Sequence, residues 1–195
     1  MKSLRLLLCA LPLALTGCST LSSINWSAAY PWNWFGASTE VTEQGVGKIT
    51  ASTALDQDAI QDAIQDALSS DYRLRSGMKT ENGNIVRYFE ALKGDKLALV
   101  INGDKGTVNR IAVLDDEIPT ASGVKVGTPF SDLYKQAFGN CTSAPSDEGV
   151  AVECKAEGSQ HISYVFTGTW SGPEGLMPSD DTLKSWKVSK IVWKQ

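Results

Sequence analysis

The feature that most constrains the fold of this 195-residue chain is a set of short stations that occur twice in the same order. Gly45-Val46-Gly47-Lys48 matches Gly123-Val124-Lys125-Val126, and Thr53-Ala54-Leu55 matches Thr128-Pro129-Phe130. Val86 pairs with Val152, and Leu97-Ala98-Leu99-Val100-Ile101 pairs with Ile162-Ser163-Tyr164-Val165-Phe166. Val108-Asn109-Arg110-Ile111 matches Val188-Ser189-Lys190-Ile191. Five stations in one order point to two copies of a supersecondary unit, at about 45–115 and 123–195.

Each copy reads as a helix followed by antiparallel strands. In the first, Ile60, Ile64 and Leu68 form an i, i+4 stripe with Ala59, Ala63 and Ala67 beside it. Three near-identical Gln-Asp-Ala-Ile/Leu tetrads lengthen this helix, and Thr53-Ala54-Leu55-Asp56 fits a capping box at its start. In the second copy Thr128 suits the cap, Pro129 the first helical position and Gly139 the stop. The remaining apolar residues alternate with period two between turn signals such as Asn82-Gly83 and Gly103-Asp104. The expected fold is α+β: two tandem helix-plus-antiparallel-strands repeats forming one sheet, with the helices on one face.

The second copy carries an extra segment, residues 168–186, which includes Gly172-Pro173-Glu174-Gly175-Leu176-Met177-Pro178. Long loops on a rigid sheet are where function concentrates, so Trp170, Pro173, Leu176, Met177 and Trp186 form the candidate contact loop. The competing reading is a closing loop packed on the core through Trp170 and Trp186.

The N-terminus sets the expected address. Lys2 and Arg5 precede an apolar run that is too short to span a bilayer and ends in Leu15-Thr16-Gly17-Cys18. This has the layout of a lipoprotein signal peptide, residues 1–17, cut before a cysteine that carries lipid. One acyl chain binds a membrane only marginally, whereas the two or three of a lipoprotein cysteine anchor it stably. Ser19, rather than aspartate, after the anchor resembles the pattern that sends lipoproteins of double-membrane bacteria to the outer membrane. Residues 18–40 then form a tether containing Trp26, Tyr30, Trp32, Trp34 and Phe35. These rings suit either the membrane interface or docking on the folded domain, residues 41–195.

Cleavage removes Cys9 and two cations, taking the formal charge from −4 to −6. With Cys18 lipidated, Cys141 and Cys154 remain in an oxidising compartment and are expected to pair. A redox or metal-binding pair is the alternative, although Cys-x-x-Cys is absent and the chain has one histidine, His161. A mildly acidic chain without a basic run argues against nucleic acid as a partner. No catalytic constellation is found: Gly-x-Ser-x-Gly, clustered zinc ligands and phosphate-binding glycine loops are all missing. Asp115-Asp116-Glu117 and Ser179-Asp180-Asp181 could supply carboxylates, but lack calcium-loop spacing; Asp180 and Asp181 suit a helix cap better. No metal, cofactor or catalytic residue is therefore assigned.

The motif order resembles small periplasmic modules of the beta-lactamase inhibitor protein type, which bind proteins on a concave sheet; this is an analogy of fold. Across its length the chain also resembles the RpoE-regulated lipoprotein family of Gram-negative bacteria. The resemblance rests on Leu15-Thr16-Gly17-Cys18, Pro31-Trp32-Asn33-Trp34-Phe35-Gly36, the run from Tyr72 to Thr80, and that from Gly172 to Lys184. It implies envelope location and control by an envelope-stress sigma factor, and transfers Cys18 alone as a functional position. The expected protein is a non-enzymatic outer-membrane lipoprotein, attached through Cys18, whose periplasmic domain binds another envelope component. A carboxylate-dependent hydrolase of peptidoglycan or envelope lipid, and a carrier of a small apolar ligand, are the rivals.

Overall fold

Short hairpins dominate the chain, and hairpins between neighbouring strands build antiparallel sheet. The computed structural model describes residues 39–68, 70–81, 83–144, 150–173 and 176–195, all within one unit, Ala37–Gln195. The signal peptide, Cys18 and the aromatic tether through Ser38 lie outside the described residues. The described chain opens with β1 (Val41–Thr42), β2 (Gly45–Val46) and β3 (Ile49–Thr50), a three-stranded sheet. Helix α1 (Gln57–Ala67) leads into a meander of β4 (Tyr72–Glu81), β5 (Asn84–Lys93), β6 (Lys96–Asp104) and β7 (Thr107–Val113). After α2 (Phe130–Leu133) come β8 (Cys141–Ala144), β9 (Ala151–Lys155), β10 (Ile162–Thr167), α3 (Asp180–Leu183) and β11 (Lys187–Lys194).

The large sheet has the order β4-β5-β6-β7-β11-β10-β9-β8, antiparallel throughout. Two four-stranded meanders thus meet at β7 and β11, where Ile191 lies opposite Val113 and Trp193 opposite Ile111. The architecture is mixed but mostly β: one sheet of eight strands with a few short helices.

Both meanders break register at a corresponding place. In β6–β7, Asn102 pairs with Arg110 but Gly103 with Val108; in β10–β11, Val165 pairs with Lys190 but Phe166 with Val188. Asn109 and Ser189 are the extra residues, and Ser189 Oγ donates to the Val165 carbonyl. Such bulges sharpen the local twist. Backbone bonds also correspond. Val108 N donates to the Thr53 carbonyl and Val188 N to that of Thr128; Leu55 N donates to Gly106 and Phe130 N to Trp186.

These pairings correct several local expectations. Ile101 and Tyr164 lie opposite Ile111 and Ile191, so the β6 and β10 stations match two residues away from the sequence alignment. Phe89 and Cys154 are then equivalent, which places Val152 at the position of Arg87; Val86 belongs to the opposite face, because a one-residue slip reverses every side chain. The β6–β7 turn falls on Lys105-Gly106, both at positive φ, and not on Gly103-Asp104. The cap of α1 is Asp56, whose side chain accepts from Ala59 N, while the Thr53 hydroxyl accepts from Thr50 N instead. Pro129 is itself the cap of α2. That helix stops after one turn because Tyr134 turns extended, stacking against Phe130 and Phe166 and donating its hydroxyl to the Lys155 carbonyl. The α3 cap is Ser179, and the two aspartates follow it in the first turn, where the helix dipole favours them.

One face of the sheet carries the main core. Ile60 and Ile64 of α1, Phe130 of α2 and Leu183 of α3 join Leu99, Ile101, Ile111, Phe166, Ile191 and Trp193 in a single cluster. The small sheet closes it, with Trp193 Nε1 donating to the Glu43 carbonyl. At the far edge Cys141 and Cys154, directly opposite in β8 and β9, form a disulfide. Truncation of Ile191, buried at the seam between the meanders, is expected to cost about 2–5 kcal/mol. Urea unfolding of Ile191→Ala checks this, and Cys141→Ser/Cys154→Ser should lower stability by about 3 kcal/mol through the short loop it opens.

Candidate functional site

The pleat sends alternate residues to opposite faces, so the side of the sheet away from the core has its own composition. Its centre is a small apolar strip in which Ala112, Ala151, Val165 and Val192 are buried, with Val100, Leu114 and Ala144 packed beside them. No helix contributes to that strip among the described residues. Two hollows adjoin it. One, of about 430 Å³, is lined by residues that include Glu153, Lys155, His161 and Ser163; the other, of about 570 Å³, by residues that include Lys79, Val86, Asn102 and Arg110. Lys194 borders both.

Three strands converge on Glu153. The Lys194 ammonium of β11 lies 2.6 Å from its carboxylate, and the Ser163 hydroxyl of β10 donates to the same oxygen. Burial by itself would raise the Glu153 pKa. The hydrogen bonds from Lys194 and Ser163, with the attraction of Lys194 and Arg110, outweigh that and hold it below its ordinary 4.5. His161, at the head of β10, has Nδ1 2.7 Å from the Lys194 carbonyl. A carbonyl can only accept, so Nδ1 carries the proton and Nε2 is left as the ring's second nitrogen.

Farther along the face, Tyr88 lies across Gly77, its cross-strand neighbour. A Cβ at Gly77 would stand 2.5 Å from the ring, so glycine is what permits this close approach. Arg75 and Glu90 form the adjacent cross-strand ion pair.

The candidate contact loop divides. Trp186 is only 3% exposed and belongs to the core, its indole lying against the bare Cα of Gly168. Trp170 and Met177 are partly buried against the same core. Pro173 is exposed and Leu176 is 58% exposed. Trp186 is therefore a packing residue and not part of a contact surface, because the chain between β10 and β11 needs an apolar plug to return across the core. Cys18 lies outside the described residues. Cys141 borders the smaller hollow.

Both carboxylate stretches are engaged structurally. Asp115 accepts from the Tyr72 hydroxyl at 2.5 Å and from Glu117 N, with Lys93 3.7 Å away. Burial, followed by that hydrogen bond, pushes the Tyr72 hydroxyl above its ordinary value. Asp180 accepts from Ala137 N at 2.7 Å. No group of three His, Cys, Asp or Glu residues placed to hold a metal occurs among the described residues. Glu153, Ser163 and Lys194 are separated in sequence, and no motif groups them. The available signal was that each is a polar residue alternating with buried apolar ones on its own strand.

Residues 23–195 match a family described as "Protein of unknown function (DUF1131)". The chain is 71% identical to "Uncharacterized protein YfeY" of Escherichia coli (strain K12), over the whole of both chains. It is also similar to a solved structure, the crystal structure of the uncharacterized protein yfeY from Escherichia coli. That likeness has a TM-score of 0.73 and 66% identity, over 80% of this chain and all of that one.

Because the Glu153 pKa is lowered on folding, the stabilisation from its contacts is present above the ordinary carboxylate value and is lost as pH falls through the folded value. Side-chain NMR titration should find Glu153 below 4.5, and Lys194→Met should move it upward. An unchanged titration would exclude Lys194 as the cause.

Proposed function

We propose that this chain, which belongs to the DUF1131 family, is a lipid-anchored envelope protein whose folded domain binds another envelope component through the sheet face opposite the core. The observation that carries the binding role is that face. It carries adjoining hollows of about 430 and 570 Å³, and its polar side chains come from strands of both meanders. A binding protein rather than an enzyme fits the carboxylates, since Asp115 and Asp180 already serve as structural acceptors and Glu153 is held by Lys194 and Ser163.

The anchor is read from Leu15-Thr16-Gly17-Cys18, with cleavage after Gly17 and lipid on Cys18, and the outer membrane as destination follows from Ser19. Control by the envelope-stress sigma factor is proposed on the family resemblance. We also read the two halves as tandem repeats; the paired bulges, and the corresponding bonds of Thr53 and Thr128, support that origin.

Two measurements test this reading. Metabolic labelling with palmitate should mark the wild type and not Cys18→Ala, and gradient fractionation should place only the labelled form in outer membranes. A photoreactive residue introduced at Val86 or Thr142, on the proposed face, should give a discrete crosslinked species in intact envelopes, and one at exposed Lys125 should not. Unlabelled wild type refutes the anchor; equal crosslinking from all three positions refutes the face.

A further inference from the structure

The chain carries more carboxylates than cations, 22 against 18, yet the sheet separates them by face. Helix α1 and its cap place Asp56, Asp58, Asp62 and Asp66 in the layer on the core side. The opposite face collects Arg73, Arg75 and Lys79 of β4, Arg110 of β7, and Lys190 and Lys194 of β11, as their alternation with core residues requires. Lys155 of β9 and Lys187 of β11 lie on it as well. Its strand carboxylates are Glu81, Glu90, Asp104 and Glu153; Glu81, Glu90 and Glu153 are paired with Lys79, Arg75 and Lys194, and Asp104 borders the larger hollow. Arg73, Arg110, Lys155 and Lys190 have no ion-pair partner among the described residues.

The arrangement at the seam is unfavourable by itself. Arg110 lies directly opposite Lys194, and Lys190 follows on the same face of β11. Like charges facing each other across strands destabilise a sheet; among the described residues the ion pair of this group is Lys194 with Glu153, while Glu81 and Asp104 stand across the larger hollow. An anionic occupant would relieve the repulsion that the fold retains. The hollows decide its shape. They take a projecting group into a recess between charged side chains, which a polypeptide can supply and a planar headgroup layer cannot.

Resting on the binding role proposed above, we infer that the sheet face opposite the core docks an acidic segment of a protein partner, whose carboxylates pair with Arg110 and Lys190 beside the hollows that meet at Lys194. The charge of the whole chain conceals this face, because no run in the sequence is basic; the cations are gathered only when period-two positions on several strands come together.

The test uses the full mature chain in detergent micelles with fluorescein-labelled poly-L-glutamate as the probe, read by fluorescence anisotropy at low and high salt. Binding should weaken with salt, and Arg110→Glu/Lys190→Glu should lower affinity at least tenfold. Lys125→Glu/Lys135→Glu, with the same change in net charge on exposed residues elsewhere, should leave it within twofold. Arg110→Gln/Lys190→Gln keeps the test valid if the reversal variant fails to fold, and should give an intermediate loss. Equal losses in the face and control variants overturn the inference. So does a preference for phosphatidylglycerol vesicles or duplex DNA that is lost in the face variant, since the face would then serve a membrane or a nucleic acid. Crosslinking from Val86 or Thr142 that persists without any poly-L-glutamate binding overturns the acidic partner alone; loss of both overturns the binding role as well.

Discussion

The pairing of β7 with β11 is the contact on which the rest of the molecule depends. Each meander is a set of local hairpins and could close within itself, but neither buries both sides of its last strand. When Ile111 and Val113 come opposite Trp193 and Ile191, two four-stranded ribbons become one eight-stranded sheet. The core then spans both halves, so that Ile60 and Ile64 from the first and Phe130 and Leu183 from the second share one cluster. The edges of this eight-stranded sheet are β4 and β8. The disulfide fastens β8 to β9 at one of these, and the Arg75–Glu90 pair ties β4 to β5 at the other.

The same seam determines what the opposite face can do. Because β7 and β11 run side by side, Arg110, Lys190 and Lys194 become neighbours although they lie far apart in sequence. Glu153 and Ser163 reach Lys194 through β9 and β10, and the hollows on either side meet there. Core and candidate site are therefore the two sides of one set of strand pairings. Small apolar residues such as Ala112 and Val165 form the floor between the charged groups.

Local chemistry was legible in the sequence where it was periodic. The Ile60–Ile64 stripe, the strands from β4 to β7 and from β9 to β11, and the hairpin around Gly83 all follow from side-chain spacing, whereas the two-residue strands β1 to β3 and the short β8 carry no such period. Register was not legible, since a bulge adds one residue and nothing in Val108-Asn109-Arg110 or Val188-Ser189-Lys190 announces it. The likeness of Val86 to Val152 therefore crosses from one face of the sheet to the other. The second helix looked longer than it is because its stop depends on Tyr134 finding Phe166 and the Lys155 carbonyl, both distant in sequence. Trp186 read equally well as surface or core, and only the return path of the chain over Gly168 decides it. The charged face was hidden for the same reason as the register: composition averages over faces that only strand pairing separates.

The most direct test of this account is native-state hydrogen exchange at the seam, comparing the amides of β7 and β11 with those of the outer strands in each half. If the seam holds the molecule together, the amides of Ile111, Ala112, Ile191 and Val192 exchange slowest, with one common opening free energy equal to that of global unfolding. If either meander instead retains protection while the other and the seam exchange freely, the halves are independently stable and the account is wrong.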